Sequence, residues 1–556
     1  MRSSLLLTLV LVTAVHAQQP ADLVIHNAKV LTINEAQPYA QAVAMAGEKI
    51  VFVGSNADVQ RYIDPAQTKV IDARGRLVTP GFNDAHIHFL QGGRSMLELD
   101  FRYVDTVAQI QQQVKARAAE LPPGTLIRGR GWDHERFPDK AWPTRQMLDA
   151  VAPNHPVALS RTDGHSIWVN SLVLRQAGIT RDIPDPPGGT ILRDEDTGEP
   201  TGILQESAQS LIKLDYYGRS DNEQRELDEQ SLEKALAEAR RTGVTSVQQL
   251  NGAQDLFEQF RKEGRLTARV TFNMWLTANA TQLAAYEELR RRFPPEGNWI
   301  RFGYLKAFID GTLGSGTALM FEPFTDNPDT CGLPQMPYAE LERRVLAADR
   351  RSFQIGVHAI GTKGNHWVLN AYEKAQQING KRDSRHRIEH AQILADADIP
   401  RFASLGVIAS MQPTHCISDK LFAEKRIGRD RCRGAYAWRR LLDAQAPIAF
   451  GTDWPVEPID PLEGLYASVT RKGRKGEPGD GWFPDQRLTM EEAIKLYTLD
   501  AAYAEFTEDR KGKIQPGYLA DLVIFDRDLL TAPPETIIQA HVETTIVGGR
   551  VVYQRR

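Results

Sequence analysis

The chain has few cysteines, almost no surplus charge and no apolar run long enough to span a bilayer beyond its N-terminus. Three cysteines in 556 residues, Cys331, Cys416 and Cys432, cannot make a disulfide scaffold and allow at most one bridge. The balance of 67 Lys+Arg against 71 Asp+Glu leaves a net charge of -4, so no global field draws the protein to nucleic acid. The basic run 471–475, with glycines at 473 and 476, reads as a solvated loop. Collagen-like bias and solvated tails are absent too. What remains, 42% hydrophobic and 25% charged residues, suits a folded chain of two or more domains. Met1-Arg2, the apolar stretch from Leu5 to Val15 and the small-residue site at Val15-His16-Ala17 read as a secretory signal peptide over 1–17. Broken by Thr8 and Thr13, that stretch makes a poor membrane anchor. The expectation is export to a bacterial periplasm or the medium.

The most informative segment is PGFNDAHIH at 80–88. Alternate residues of a strand share a face, so His86 and His88 can converge on one cation. An HxH pair alone is weak. Three further candidates close apolar, strand-like runs far down the chain: His358 after 354–357, His390 after 385–389, and Asp453 after 447–452. Lys306 ends a fourth run that begins at Ile300. Four imidazoles, a carboxylate and a lysine at successive strand ends fit a divalent metal, with zinc the best match.

With these pieces in view, the chain resembles the amidohydrolase superfamily, in the branch similar to N-substituted formamide deformylase. The matching segments include SRTDGHSIWVNS (160–171), LKAFIDGTLGSGTA (305–318), VHAIG (357–361), HRIEHAQ (386–392), SMQPTH (410–415), GTDWPV (451–456) and KIQPGYLADLVIFD (513–526), in family order from about residue 22 onward. Alternating strand and helix patterns point to a parallel α/β architecture. Strands near 77–86, 243–249, 268–275, 300–307, 354–358, 385–390, 406–411 and 447–453 predict a TIM-like (β/α)8 barrel over 77–503. In such a barrel the strands' carboxyl ends form the active site. The stretch from about 92 to 230 is too long for one βα unit and reads as an inserted subdomain covering that site. Short strands in 18–76 and 504–556 flank the barrel, and the resemblance implies that they join into one small discontinuous β-sandwich.

The resemblance also assigns roles. A cation held by neutral imidazoles polarises a carbonyl and lowers the pKa of a coordinated water. Asp453 is then both a ligand and the group that takes the water proton and returns it to a leaving amine, with His390 beside it. Its other reading is a helix N-cap. Lys306 leaves three readings open: an N6-carboxylysine bridging two metals, a cation for substrate, or an ion-pair partner of Asp310. With the carbamate, His86, His88 and Asp453 hold one metal while His358 and His390 hold the other. His165, Trp132 and His415 are candidate substrate contacts, with Trp168 and Trp454 as further members of an apolar wall. Each has a plainer reading, hydrogen bonding for the histidines and core packing for the tryptophans. Gly314-Ser315-Gly316 offers backbone donors or simply a turn, and Glu206 matches without a derivable role. Thr362 stands where the family commonly has aspartate, and Gln248-Gln249-Leu250-Asn251 where many relatives carry an acidic residue. The expected activity is metal-dependent hydrolysis of a C–N bond in an amide, N-formyl amine or cyclic amide, on a small-molecule substrate, by a monomer or homodimer. The alternatives are a lyase or isomerase on the same scaffold, and an inactive exported binding protein.

Overall fold

The computed structural model describes residues 20–102, 104–212, 220–250 and 252–556; the signal peptide expected over 1–17 and Asn251 lie outside them. Eight parallel strands form one sheet whose order follows the chain. They are β1 (Phe82–Ile87), β2 (Val244–Gln249), β3 (Arg269–Trp275), β4 (Ile300–Phe308), β5 (Ile355–Ala359), β6 (Arg387–His390), β7 (Ile408–Met411) and β8 (Ile448–Phe450). The first and last strands are stitched at their carboxyl ends. The Asp453 N–H donates to His86 O at 2.7 Å and the His88 N–H to Trp454 O at 2.8 Å. Asp84 accepts from the backbone of His86 (3.1 Å) and of Thr452 (3.0 Å). A Cβ on Gly451 would lie 2.5 Å from the His86 nitrogen, so this closure requires glycine there. The barrel expected from the alternating pattern is present.

Two boundaries differ from the sequence reading. The run expected as one barrel strand over 77–86 is two strands, because Leu77–Pro80 pairs with Lys29–Leu31 and Leu522–Phe525 in the sandwich. The chain crosses into β1 at Gly81, where a Cβ would lie 2.2 Å from the Thr245 hydroxyl. At its other end the insertion stops before 221. The helix Asp221–Thr242 starts in a capping box, Ser220 with Glu223, and stops at left-handed Gly243. Its Leu232, Ala235, Leu236 and Ala239 are buried in the barrel core, which makes it a barrel helix.

The inserted domain carries a six-stranded mixed sheet from Leu99–Asp100 to Pro200–Glu206. Its core is separate, built around Phe101, Ile110, Trp132, Leu159 and Trp168. The sandwich has a four-stranded and a six-stranded sheet. Ile25, Val43 and Val78 share its core with Leu522, Ile524 and Ile546, so neither end of the chain encloses that core alone. All three cysteines are free, and no helix among the described residues is long and apolar enough to cross a membrane. Arg471, expected in a solvated loop, is instead fully buried, with its guanidinium over the rings of Trp438 and Trp482.

A polar cluster fills the amino-terminal end of the barrel. Glu505 accepts from Arg301 at 2.7 Å, Lys511 at 2.5 Å and Asn83 at 2.8 Å, and from the Thr271 hydroxyl. Burial alone would raise its carboxyl, but Lys511 and Arg301 override burial and hold it at about 2. Glu505→Ala leaves two buried cations uncompensated and is expected to cost about 3–5 kcal/mol, read by urea denaturation. The folded value lies below the unfolded value near 4.3, so this contribution is complete above about pH 4.3. It is lost as pH falls toward about 2, and acid titration of stability in native and Glu505→Gln proteins should diverge in that window.

Candidate metal centre

Each candidate ligand is placed by the end of a barrel strand. His86 is the fifth residue of β1, and its Nδ1 meets Glu389 of β6 at 2.5 Å, which turns Nε2 toward the barrel mouth. Glu389 is in turn gripped by Arg387, two residues earlier on the same strand face, with Nε at 2.5 Å and Nη2 at 3.1 Å. His88 follows β1 directly. The Nε2 atoms of His86 and His88 both lie 3.4 Å from one oxygen, Oδ1 of Asp453.

The remaining imidazoles are oriented in the same manner. His390 gives its Nδ1 to Gln412 Oε1 at 2.7 Å and keeps Nε2 for the cavity. His358 meets the Gly311 carbonyl through Nε2 at 3.0 Å, and its Nδ1 has no partner. His390 and Asp453 both sit at positive φ, 74° and 57°, a conformation that non-glycine residues adopt only when their surroundings hold them there. Burial would raise Asp453, but the His86 and His88 rings, each with Nε2 3.4 Å from its Oδ1, hold it well below the usual carboxylate range.

His86, His88 and Asp453 place one donor atom each within 4.8 Å of one another, and so do His390, His415 and Asp453. His415, expected as a substrate contact, thus has a ring nitrogen within reach of this second candidate group, its ring stacked 5.8 Å from that of His390. The buried atoms here that lack any hydrogen-bond partner include Lys306 Nζ, His358 Nδ1, His415 Nε2 and Asp453 Oδ1. Three of these, on His358, His415 and Asp453, line one cavity; orphaned polar atoms there would be costly in a site built only for packing, and a divalent cation fits them. Lys306 is 2% exposed, and burial lowers its ammonium to about 8. Its expected alternative as a partner of Asp310 is not what the structure has. Asp310 accepts from the backbone of Leu319 (2.8 Å), Ile360 (3.0 Å) and Gly361 (2.8 Å) instead.

The centre opens into a cavity of about 410 Å³ between the barrel mouth and the inserted domain. His165 lines it, with Nδ1 on Glu206 at 2.7 Å. Burial would depress this imidazole, but Glu206 overrides burial and raises it to about 9. Glu206, without an assigned role in the sequence, also accepts from Thr317 at 2.6 Å and so ties the insertion to the loop after β4. Ser315 and Thr312 of that loop donate to Asp163 at 2.8 and 2.9 Å, which anchors the glycine turn by side chains. Gln248 accepts from Arg387 at 2.5 Å, and Thr362 accepts from the Phe321 N–H at 3.2 Å.

The expected tryptophan wall requires correction. Trp132 is 0% exposed, donates to the Leu159 carbonyl at 2.8 Å and packs edge-on against Trp168 in the insertion's own core. Trp454 packs over Gly92 of the helix after β1. The cavity's aromatic side is Trp275 at the end of β3, 47% exposed, together with Phe308 at the end of β4. The strand-end pattern that found the histidines applies equally to Trp275. Arg130, contributed by the insertion, had no such signal.

The amidohydrolase family model matches residues 69–553. The chain is 34% identical to the Arabidopsis thaliana protein LONG AFTER FAR-RED 3, over 96% of its own length and 92% of that protein. It is 28% identical to the N-substituted formamide deformylase of Arthrobacter pascens, over 97% and 99%. The crystal structure of an uncharacterised metal-dependent hydrolase from Pyrococcus furiosus superposes with a TM-score of 0.69 at 29% identity, covering 92% of this chain and all of that one. Because Glu389 orients His86, Glu389→Gln should weaken metal binding about 10–100-fold, measured by competition with a chromogenic chelator. Unchanged affinity would mean that His86 is not a ligand.

Proposed function

Since the chain belongs to the amidohydrolase family and is a metal-dependent hydrolase, we propose that it cleaves a C–N bond other than a peptide bond, in an amide, N-formyl amine or cyclic amide. The observation that carries this reading is Asp453, ionised, buried, and shared by two groups of metal donors. His86, His88 and Asp453 would hold one cation. His358 and His390 would hold a second, with Lys306 between them as its N6-carboxy form. Lys306 supports that form by being buried with a partnerless Nζ. There, addition of CO2 forms an N–C bond and releases one proton, giving an anionic carbamate. The cation, zinc by its donor set, supplies Lewis-acid polarisation and a nucleophile at neutral pH.

The protein's own groups do the rest. Asp453 takes the proton of the attacking water on a carboxylate oxygen and hands it to the departing nitrogen. An amine is a poor leaving group unless protonated, so this transfer matters more for an amide than for an ester. His165, protonated against Glu206, offers an N–H to the carbonyl oxygen as it gains charge. Trp275 and Phe308 form an apolar side on which the remainder of the substrate can rest.

Asp453→Asn should lower turnover of a responsive amide by about 10²–10⁴-fold, with acid and amine products quantified by chromatography. Metal content measured on the same samples separates lost proton transfer from lost metal. A rate unchanged at full metal occupancy would remove Asp453 from the mechanism, and a product isomeric with the substrate would overturn hydrolysis. In Lys306→Ala, metal content should fall from two ions per chain to one; a value that does not move would reject the bridging carbamate.

A further inference from the structure

Arg130 lies within the insertion strand Ile127–Trp132, lines the cavity beside the candidate metal centre, and is 6% exposed. Its Nη2 donates to the Thr162 carbonyl at 3.2 Å, while its Nε has no partner. Among the described residues no carboxylate pairs with it. The two nearby acids of the insertion are committed elsewhere, Asp100 to Arg102 at 2.5 Å and Glu98 to Arg128 at 2.8 Å. A buried guanidinium that no carboxylate touches is costly unless an anion arrives to complete it. Burial and the neighbouring Arg102 charge push it down, the charges of Glu98, Asp100 and Asp453 partly offset them, and at about 10 it is charged at neutral pH.

The other cation facing this cavity, His165, is taken by Glu206, and Asp453 lies close enough for its charge to act on Arg130. From this geometry we propose that the substrate is an amide bearing one carboxylate, which Arg130 receives while the scissile bond lies at the metal centre. The proposal rests on the C–N hydrolase reading and narrows it to a substrate class. A single unpaired guanidinium matches a carboxylate through its planar fork. A dianion such as a phosphate monoester would face Asp453 and Glu206 with only one unpaired cation to balance it. Gln335, whose buried Nε2 is also partnerless, adds a neutral donor to the same cavity.

Binding tests this independently of turnover. Zinc-loaded Asp453→Asn protein is titrated calorimetrically with matched pairs: N-acetylglycine and N-acetylglycinamide, hippuric acid and hippuramide, succinamic acid and succinamide. At least one acid should bind roughly tenfold or more tightly than its amide, the scale of a charge-assisted contact. In Arg130→Gln that preference should vanish while amide affinity stays, and Arg130→Lys should keep part of it. Thermal melts check folding; should Arg130→Gln not fold, a partial loss of preference in Arg130→Lys decides. No acid preference in any pair, or one that survives Arg130→Gln because the carboxylate sits on zinc alone, overturns the assignment. If the preference holds but the native protein cleaves no amide, the C–N reading fails and the role of Arg130 stands.

Discussion

One buried guanidinium organises the carboxyl end of the barrel. Arg387 is 0% exposed and reaches Ala85 of β1, Gln248 of β2, Glu389 of its own strand and Ser410 of β7, while its charge lies 4.4 Å above the Tyr304 ring of β4. Five strands are thus referred to one side chain. A charge so deep is tolerable only with a partner, which is Glu389. Glu389 in turn meets His86, so the chain of charge ends on a candidate metal ligand. Fixing the barrel's register and fixing the ligand's orientation are the same interaction.

That economy has a cost which the metal offsets. The pocket brings together imidazoles, a carboxylate and an amine, several with no hydrogen-bond partner, and holds His390 and Asp453 in left-handed backbone conformations. None of this helps folding. Such strain persists where packing over-determines it, and here the stitch between Asp453 and His86 and the link from His390 to Gln412 do so. The site is therefore built before any cation arrives, which favours affinity because little ordering remains to be done on binding.

Much of this was legible in the sequence because the barrel imposes a rule on it. A functional residue must stand at the carboxyl end of an apolar strand, and His86, His358, His390, Lys306 and Asp453 all do. The rule also exposes Trp275, but tryptophan is so common in cores that Trp132, in a family-like segment, drew the attention instead; its N–H serves the Leu159 carbonyl in a separate core. Strand patterns do not say which sheet a strand joins, so Leu77–Pro80 and β1 read as one run. Charge patterns do not reveal burial: Arg471 lies in a basic run yet stacks between two indoles, and Arg130 reaches the cavity by a tertiary path that no spacing encodes.

The division of labour between barrel and insertion follows from how they are joined. Asp163 is bound by Thr312 and Ser315, Glu206 by Thr317, and Glu135 by Arg426, so the insertion is fastened to the barrel by hydrogen bonds and ion pairs around the cavity's edge. The contacts of Asp163 and Glu206 lock the wall of the cavity to the loop after β4, and that of Glu135 fastens it to the helix Ala423–Ile427. Chemistry is set by strand ends that the barrel cannot vary without losing its register. On the proposed reading recognition falls to Arg130 and His165, which belong to the inserted domain with its own core and can change without disturbing Arg387. A fold so divided can keep one reaction while exchanging substrates, and the uncommitted charge of Arg130 is where this chain has made its choice.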